Sequence, residues 1–318
     1  MIKILANDGI AESGKKLLQD AGYQVITDKV AQEDLIDFIN RENIEILLVR
    51  SATKVRKDIF DGCEKLKMVG RGGVGMDNID VEYGRSKGVD VFNTPASSSQ
   101  SVAELVMGHL FASCRFLNDS YRNMASGDFK ALKKKYGKGI ELRGKTLLIV
   151  GFGRIGQSLA SYALCCGMKI IADDAFSFTA NVKVDVNGTE LSFPISTTTD
   201  LKNMLPKADF ISLHVPKQAD GSAVITKAEL ELMKPSAFIV NASRGGVIDE
   251  NDLIEALDNN VIAGAALDVY ENEPTPNPKL LNHPKIATSP HIGAATQEAQ
   301  DRIGEEIATK IITTYGKQ

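Results

Sequence analysis

Three side chains in the second half of the chain are of types that could together hold an anion and move a proton. Arg244 stands in Asn241-Ala-Ser-Arg-Gly-Gly246, Glu273 in Leu267-Asp-Val-Tyr-Glu-Asn-Glu-Pro274, and His291 in Ser289-Pro-His-Ile-Gly293. A guanidinium carried on a Gly-Gly turn can aim its planar fork at a carboxylate, which an ammonium cannot do. An imidazole is the natural proton carrier near neutral pH, as in the oxidation of an alcohol. A carboxylate on its far nitrogen would fix the tautomer and favour the cation formed when the ring takes a hydroxyl proton. Taken singly, each has a plainer reading: a surface cation, a turn residue, a structural histidine. Their joint placement, just beyond the strand-like runs Ala237–Asn241, Gly264–Val269 and Lys285–Thr288, favours a site.

A second constellation lies upstream. The apolar run Lys145–Val150 leads into Gly151-Phe-Gly-Arg-Ile-Gly156, and a helical face with Ile155, Leu159, Tyr162 and Cys166 follows. In such a strand–turn–helix, Gly151 allows the tight turn, Gly153 the approach of a pyrophosphate, and Gly156 close helix-on-strand packing. Arg154 and Ile155 then open the helix, whose positive end suits a diphosphate. The next strand, Lys169–Ala172, ends at Asp173-Asp174, and Asp174 is placed to accept hydrogen bonds from an adenine ribose. An acid there also repels a 2′-phosphate, so NAD is expected rather than NADP. His214, in Leu213-His-Val-Pro216 at another strand end, is a candidate for lining the same pocket. His109 lies inside a helical pattern and reads as packed.

Two loops in the first third could grip a substrate. Arg50-Ser-Ala-Thr-Lys54 follows Leu47-Leu-Val and sets the cations Arg50 and Lys54 with Ser51 at a strand's carboxyl end. Arg71-Gly-Gly-Val-Gly75 follows Met68-Val-Gly and offers the amides of Gly73, Val74 and Gly75 to an anion. For each, a solvated loop is an equally good reading. The basic stretch Lys133-Lys-Lys-Tyr-Gly-Lys138 reads as a solvated loop.

These residues need a frame, and the chain supplies one. Before Asn93 short apolar runs alternate with helical ones: strands over Ile2–Ala6, Gln24–Thr27, Ile44–Arg50, Lys67–Gly70 and Val89–Phe92, and helices over Glu12–Asp20, Gln32–Arg41, Val55–Cys63 and Val81–Ser86. Ser97–Ser101 then caps one long helical pattern from Val102 to about Ala125. Alternation resumes after the glycine loop with a strand at Asp209–Leu213 and helices near Asp200–Met204, Thr226–Met233 and Glu250–Asp258. Thr296–Thr314 reads as a single helix, with Ile303, Ile307 and Ile311 four apart. Such alternation predicts α/β architecture, and 318 residues predict two domains. The net charge of −4 gives no footprint for nucleic acid or an anionic membrane. There is no apolar run of spanning length, and the start goes directly into a strand rather than a signal peptide. Cys63, Cys114, Cys165 and Cys166 lack zinc spacing and are expected to be reduced, mostly buried thiols of a cytoplasmic protein; no metal is expected.

These motifs together resemble the D-isomer-specific 2-hydroxyacid dehydrogenases along essentially the whole chain. The glycine loop, Asn241–Gly246, Leu267–Pro274 and Pro290-His-Ile-Gly-Ala294 carry the resemblance. Arg50-Ser-Ala-Thr-Lys-Val55, Gly75-Met-Asp-Asn-Ile-Asp80, Asn93-Thr-Pro95, Val102-Ala-Glu-Leu105 and Gly293-Ala-Ala-Thr296 match the subgroup that oxidises 3-phosphoglycerate. The resemblance implies two doubly wound parallel-sheet domains, Rossmann-like or flavodoxin-like. A substrate domain over 1–98 and 290–318 would be interrupted by an NAD-binding domain over 99–289. It implies that Arg244 grips the substrate, His291 is the acid/base and Glu273 its partner, with Asp268 a support on the cofactor side. It further implies the first step of serine biosynthesis, a homodimer, and no serine inhibition, because the C-terminal regulatory domain of longer members is not present. The alternatives are a reductase of hydroxypyruvate, glyoxylate or another 2-keto acid and, more remotely, an NAD-sensing corepressor. Lys133–Lys135 are candidates for reaching a partner subunit's site.

Overall fold

The structure, a computed structural model, describes residues 1–125 and 127–318. It divides into two compact units, Met1–Ser99 with Ala294–Gln318, and Gln100–Gly293. In the first unit β1 (Lys3–Ala6), α1 (Glu12–Asp20), β2 (Gln24–Ile26), α2 (Leu35–Glu42), β3 (Ile46–Val49), α3 (Lys57–Gly62), β4 (Met68–Arg71), α4 (Val81–Ser86) and β5 (Asp90–Asn93) alternate as expected. The sheet is parallel, in the order β2-β1-β3-β4-β5 of flavodoxin-like folds. Consecutive apolar residues feed two cores, because successive side chains point to opposite faces. Leu5, Leu47, Val69 and Val91 go to one face, and Ile4, Ile46, Leu48 and Met68 to the other.

The second unit holds all but the first residue of α5 (Ser99–Cys114), followed by α6 (Leu117–Asn123) and α7 (Phe129–Tyr136). The single long helix expected from Val102 to Ala125 is therefore broken. Phe116 turns left-handed at φ 56°, its ring stacks on Tyr136 at 5.9 Å, and the Ile140 N–H takes the Cys114 carbonyl at 3.0 Å. A returning segment thus satisfies the helix end and the stacked ring offsets the backbone cost. Nor do Lys133–Lys135 lie in a loop. They sit in α7, which Asp128 caps by accepting from the Lys130 and Ala131 N–H groups.

The chain continues through β6 (Thr146–Val150), α8 (Arg154–Cys165), β7 (Lys169–Asp173), β8 (Thr179–Val186), β9 (Thr189–Thr198), α9 (Leu201–Met204), β10 (Phe210–Leu213), α10 (Lys227–Glu231), β11 (Phe238–Asn241), α11 (Glu250–Asp258), β12 (Gly264–Leu267), α12 (Pro278–Leu281) and β13 (Ile286–Thr288). The sheet order is β13-β12-β11-β10-β6-β7-β9-β8, parallel except for the β8–β9 hairpin at one edge. Strand order reverses at β6, with β7 on one side and β10 on the other, which is where doubly wound sheets open a ligand crevice. Among the described residues no helix is long and apolar enough to cross a membrane. Cys63 and Cys114 are buried thiols, Cys166 is half-buried, and Cys165 is exposed, against the expectation of mostly buried sulfur.

The last helix, α13 (Gln297–Tyr315), belongs to the first unit and buries Ile303, Ile307 and Ile311 there. It crosses α1 where two glycines meet: a Cβ on Gly14 would lie 2.4 Å from the Gly304 carbonyl. Gly14→Val should therefore destabilise, since a helix-propensity gain of under ~1 kcal/mol opposes an overpacking cost of roughly 1–3 kcal/mol. An unchanged urea midpoint would show that this crossing is not tight.

Candidate active site

The glycine loop follows β6 at the strand reversal. Gly151 has φ +90°, and a Cβ there would meet the His214 carbonyl at 2.5 Å. A Cβ on Gly156 would meet the Gly151 carbonyl at 2.4 Å, so both positions demand glycine. Gly153 is different, because a Cβ there would point into open space. It is the N-cap of α8, with no side-chain cap on the helix N–H groups, and Arg154 beside it is exposed while Ile155 is half-buried. A backbone cradle open at a helix's positive end fits a pyrophosphate.

The two acids at the end of β7 differ. Asp174 is half-buried and accepts the Phe152 N–H of the glycine loop at 2.7 Å, which sets it beside the cradle. Asp173 is 8% exposed, and its Oδ1 has no partner among the described residues. Burial first, then the charges of Asp174 and Asp200, push its carboxyl up to about 6. His214 meets the loop through its main chain. Its N–H donates to Val150 O, while its imidazole is engaged with Ser212 Oγ at 2.8 Å and its Nδ1 is shut away from solvent. Burial pulls that ring down to about 4, so it is neutral.

Arg244, Glu273 and His291 follow β11, β12 and β13, three neighbouring parallel strands, and so share one sheet edge. The Arg244 turn is fixed by Asn241, whose Oδ1 accepts from the Ser243 N–H and hydroxyl and whose Nδ2 donates to Arg244 O at 2.9 Å. Arg244 itself is half-buried, and Nη1 donates to Ser243 O. Glu273 Oε2 lies 2.7 Å from His291 Nδ1, and its Oε1 accepts the Tyr270 N–H at 3.0 Å. With Nδ1 committed to the carboxylate, Nε2 is the atom left for proton transfer. Sequence reasoning passed over Tyr270, although it lies inside the quoted motif. Burial, with help from Asp268, pushes its phenol up to about 12, and the neutral hydroxyl lies 2.9 Å from Ser289 O and 3.1 Å from Leu267 O, its single proton shared between the two carbonyls, which ties the β12 loop to the β13 loop. Tyr270, Glu273, Pro274, Leu281, Pro290 and His291 also border a cavity of about 430 Å³.

His291 has φ +55°, a left-handed conformation that costs a non-glycine residue about 1–3 kcal/mol. Asp268 holds it there. This carboxylate is 1% exposed and accepts the N–H groups of Ile292 at 2.9 Å and Gly293 at 2.8 Å, the two residues after His291.

In the first unit, the Arg50–Lys54 and Arg71–Gly75 loops follow the adjacent strands β3 and β4. Asp8, just beyond β1, accepts the Arg50 N–H at 2.7 Å, the Thr53 N–H at 3.0 Å and the Thr53 hydroxyl, and pairs with Lys29. Burial works to raise its carboxyl, but the bonds from Lys29, Arg50 and Thr53 outweigh it and hold it below the usual value. Asn78 donates to both Arg50 O and Thr53 O and accepts from Arg71. Ser51 and Lys54 are exposed on this clamped loop. The Gly73 N–H is already bonded to Thr94 Oγ1 at 2.8 Å, whereas Val74 and Gly75 are half-buried. Arg56 is paired with Asp80 at 2.9 Å, and Lys135 of α7 with Asp119 at 2.6 Å.

Asp173 makes stability depend on pH. A carboxyl raised from 3.8 to about 6 on folding contributes most below its unfolded value, and that contribution is lost as pH rises through 6. Asp173→Asn should therefore be more stable than the parent at pH 7–8 by roughly 1–3 kcal/mol, with the gap closing toward pH 4 in urea titrations. A gap that does not change with pH would remove the buried-charge explanation.

Comparison with known proteins shows which family the chain belongs to. Residues 107–293 match the model of the D-isomer-specific 2-hydroxyacid dehydrogenase NAD-binding domain. The chain is 40% identical over 311 residues to a D-3-phosphoglycerate dehydrogenase of Methanocaldococcus jannaschii, covering 98% of this chain and 57% of that one. It thus spans little more than half the length of that relative. It is 38% identical over 317 residues to a hydroxypyruvate reductase of Thermotoga maritima, with 99% and 98% of the two chains covered. The TT0316 protein of Thermus thermophilus superimposes with a TM-score of 0.83 at 27% identity, over 96% and 94% of the chains. With the glycine cradle, the neighbouring acid and the three strand-end residues all in the unit that the model matches, the chain belongs to the D-isomer-specific 2-hydroxyacid dehydrogenase family, and its second unit is that family's NAD-binding domain.

Proposed function

We propose that the chain catalyses reversible hydride transfer at C2 of a D-2-hydroxyacid, with 3-phospho-D-glycerate and 3-phosphohydroxypyruvate as the substrate pair. The observation that carries this is the 2.7 Å pair of His291 Nδ1 with Glu273 Oε2, on strand ends neighbouring that of Arg244. Bound NAD supplies the two-electron acceptor. Arg244 grips the substrate carboxylate and stabilises charge developing on the C2 oxygen. His291, neutral at Nε2, takes the hydroxyl proton there and returns it in the reverse direction. Glu273 holds the ring's orientation and favours the imidazolium. Asp174 accepts from the ribose hydroxyls and disfavours a 2′-phosphate.

To the first unit we assign recognition of the substrate phosphate, through Arg50, Lys54, Ser51 and the amides of Val74 and Gly75, with the first step of serine biosynthesis as its setting. The relative from M. jannaschii supports the phosphorylated substrate. A specific observation favours a second reading: the T. maritima hydroxypyruvate reductase matches this chain over nearly the full length of both. We also assign a homodimer, supported by Leu117, Tyr121 and Phe129, which are 54%, 90% and 66% exposed on α6 and α7.

NADH oxidation should run at least ~10-fold faster in kcat/KM with 3-phosphohydroxypyruvate than with hydroxypyruvate, the discrimination that one charge-assisted contact supplies. Equal rates would move the assignment to the reductase. His291→Ala should lower kcat by roughly 10²–10⁴ at unchanged nucleotide affinity, and full turnover would end its role as proton carrier. Light scattering should return a mass of two 34.4 kDa chains; a single-chain mass would refute the dimer.

A further inference from the structure

Behind the His291 loop runs a hydrogen-bond chain that the proton transfer itself does not require. His109, 9% exposed in the middle of α5, brings Nε2 to 3.1 Å from Ser289 Oγ. The Ser289 hydroxyl donates to Asp268 Oδ1 at 2.6 Å. Its one proton is therefore committed to the carboxylate, and the bond from His109 must be donated by the imidazole. Burial lowers the basicity of His109, against an opposing effect of the Asp268 charge, so the ring is a neutral donor with its proton on Nε2. At the far end of the chain Asp268 accepts the Ile292 and Gly293 N–H groups.

We infer that His109 is a positioning residue: acting through Ser289 and Asp268, it fixes the two peptide units that follow His291 and so keeps that imidazole on Glu273. The inference rests on His291 being the proton carrier. A carboxylate this enclosed is held in one orientation by the donors around it, and each donor removed lets it turn. His109 approaches from α5, whose neighbouring Val106 and Leu110 are fully buried. It therefore ties the catalytic loop to a helix anchored in the core.

The test compares His109→Leu, His109→Gln and Ser289→Ala in the full chain. Leu fills the site without a donor, and the Gln amide places an N–H at about the reach of Nε2. Leu and Ala should each lower kcat about tenfold, the weight of one buried hydrogen bond, while the nucleotide dissociation constant stays the same. Gln should recover most of the loss. With only four histidines, the low-field Nδ1–H resonance of His291 can be assigned by substitution, and it should be sharp in the parent and broadened in the Leu and Ala variants. Unchanged kcat and resonance, or Gln as slow as Leu, would overturn the role. If His109→Leu does not fold, Ser289→Ala decides alone. Should the parent turn over no 2-oxo acid, the dehydrogenase reading fails, and the resonance still decides whether the chain holds the loop.

Discussion

A carboxylate deprived of water must have its oxygens bonded, and Asp268 is the place where this constraint shapes the site. It is 1% exposed at the end of β12 and takes donors from Ser289, Ile292 and Gly293. Leaving such a charge unsatisfied costs several kcal/mol, more than the roughly 1–3 kcal/mol of a left-handed histidine. The backbone therefore yields and His291 takes φ +55°. The ring comes to face Glu273 because the peptides beside it have been recruited to satisfy a neighbour.

The acids at the end of β7 show the opposite outcome of the same rule. Asp174 accepts the Phe152 N–H and stays partly in solvent beside the cradle. Asp173, one residue earlier, is turned inward with one oxygen unpartnered among the described residues. Asp173 is the last residue of β7 and is buried with the strand, whereas Asp174 is the first residue beyond it and reaches the glycine loop.

Much of this was legible in the sequence. Runs such as Leu147–Val150 and Ile46–Val49 are apolar at every position, and only strands covered on both faces are patterned that way. The pairing of His291 with Glu273 could be expected from their positions after successive strands, because parallel neighbours bring their carboxyl ends to one edge. Other features depended on contacts that no local pattern encodes. The break after Cys114 is set by Ile140 and Tyr136, more than twenty residues on. Ser289 and Asp268 single out His109 only once α5 is packed on the sheet. The β8–β9 hairpin had a local signal that went unused: Asn187-Gly188, left-handed at both residues, between alternating Val182, Val184 and Val186 and the returning strand.

Charge is where sequence and structure diverge most. Arg50 and Lys54 read as cations that could grip a substrate, but the fold pairs neighbouring charges with one another. Arg56 closes on Asp80 and the Asp77 carbonyl, Lys29 closes on Asp8, and Asp8 in turn spends its remaining lone pairs on the amides of Arg50 and Thr53. The same bonds make the loop that carries Arg50 stiff, since its main chain is gripped by Asp8 on one side and Asn78 on the other. On the proposed reading, a loop already held in this way would meet the substrate phosphate without first ordering its backbone.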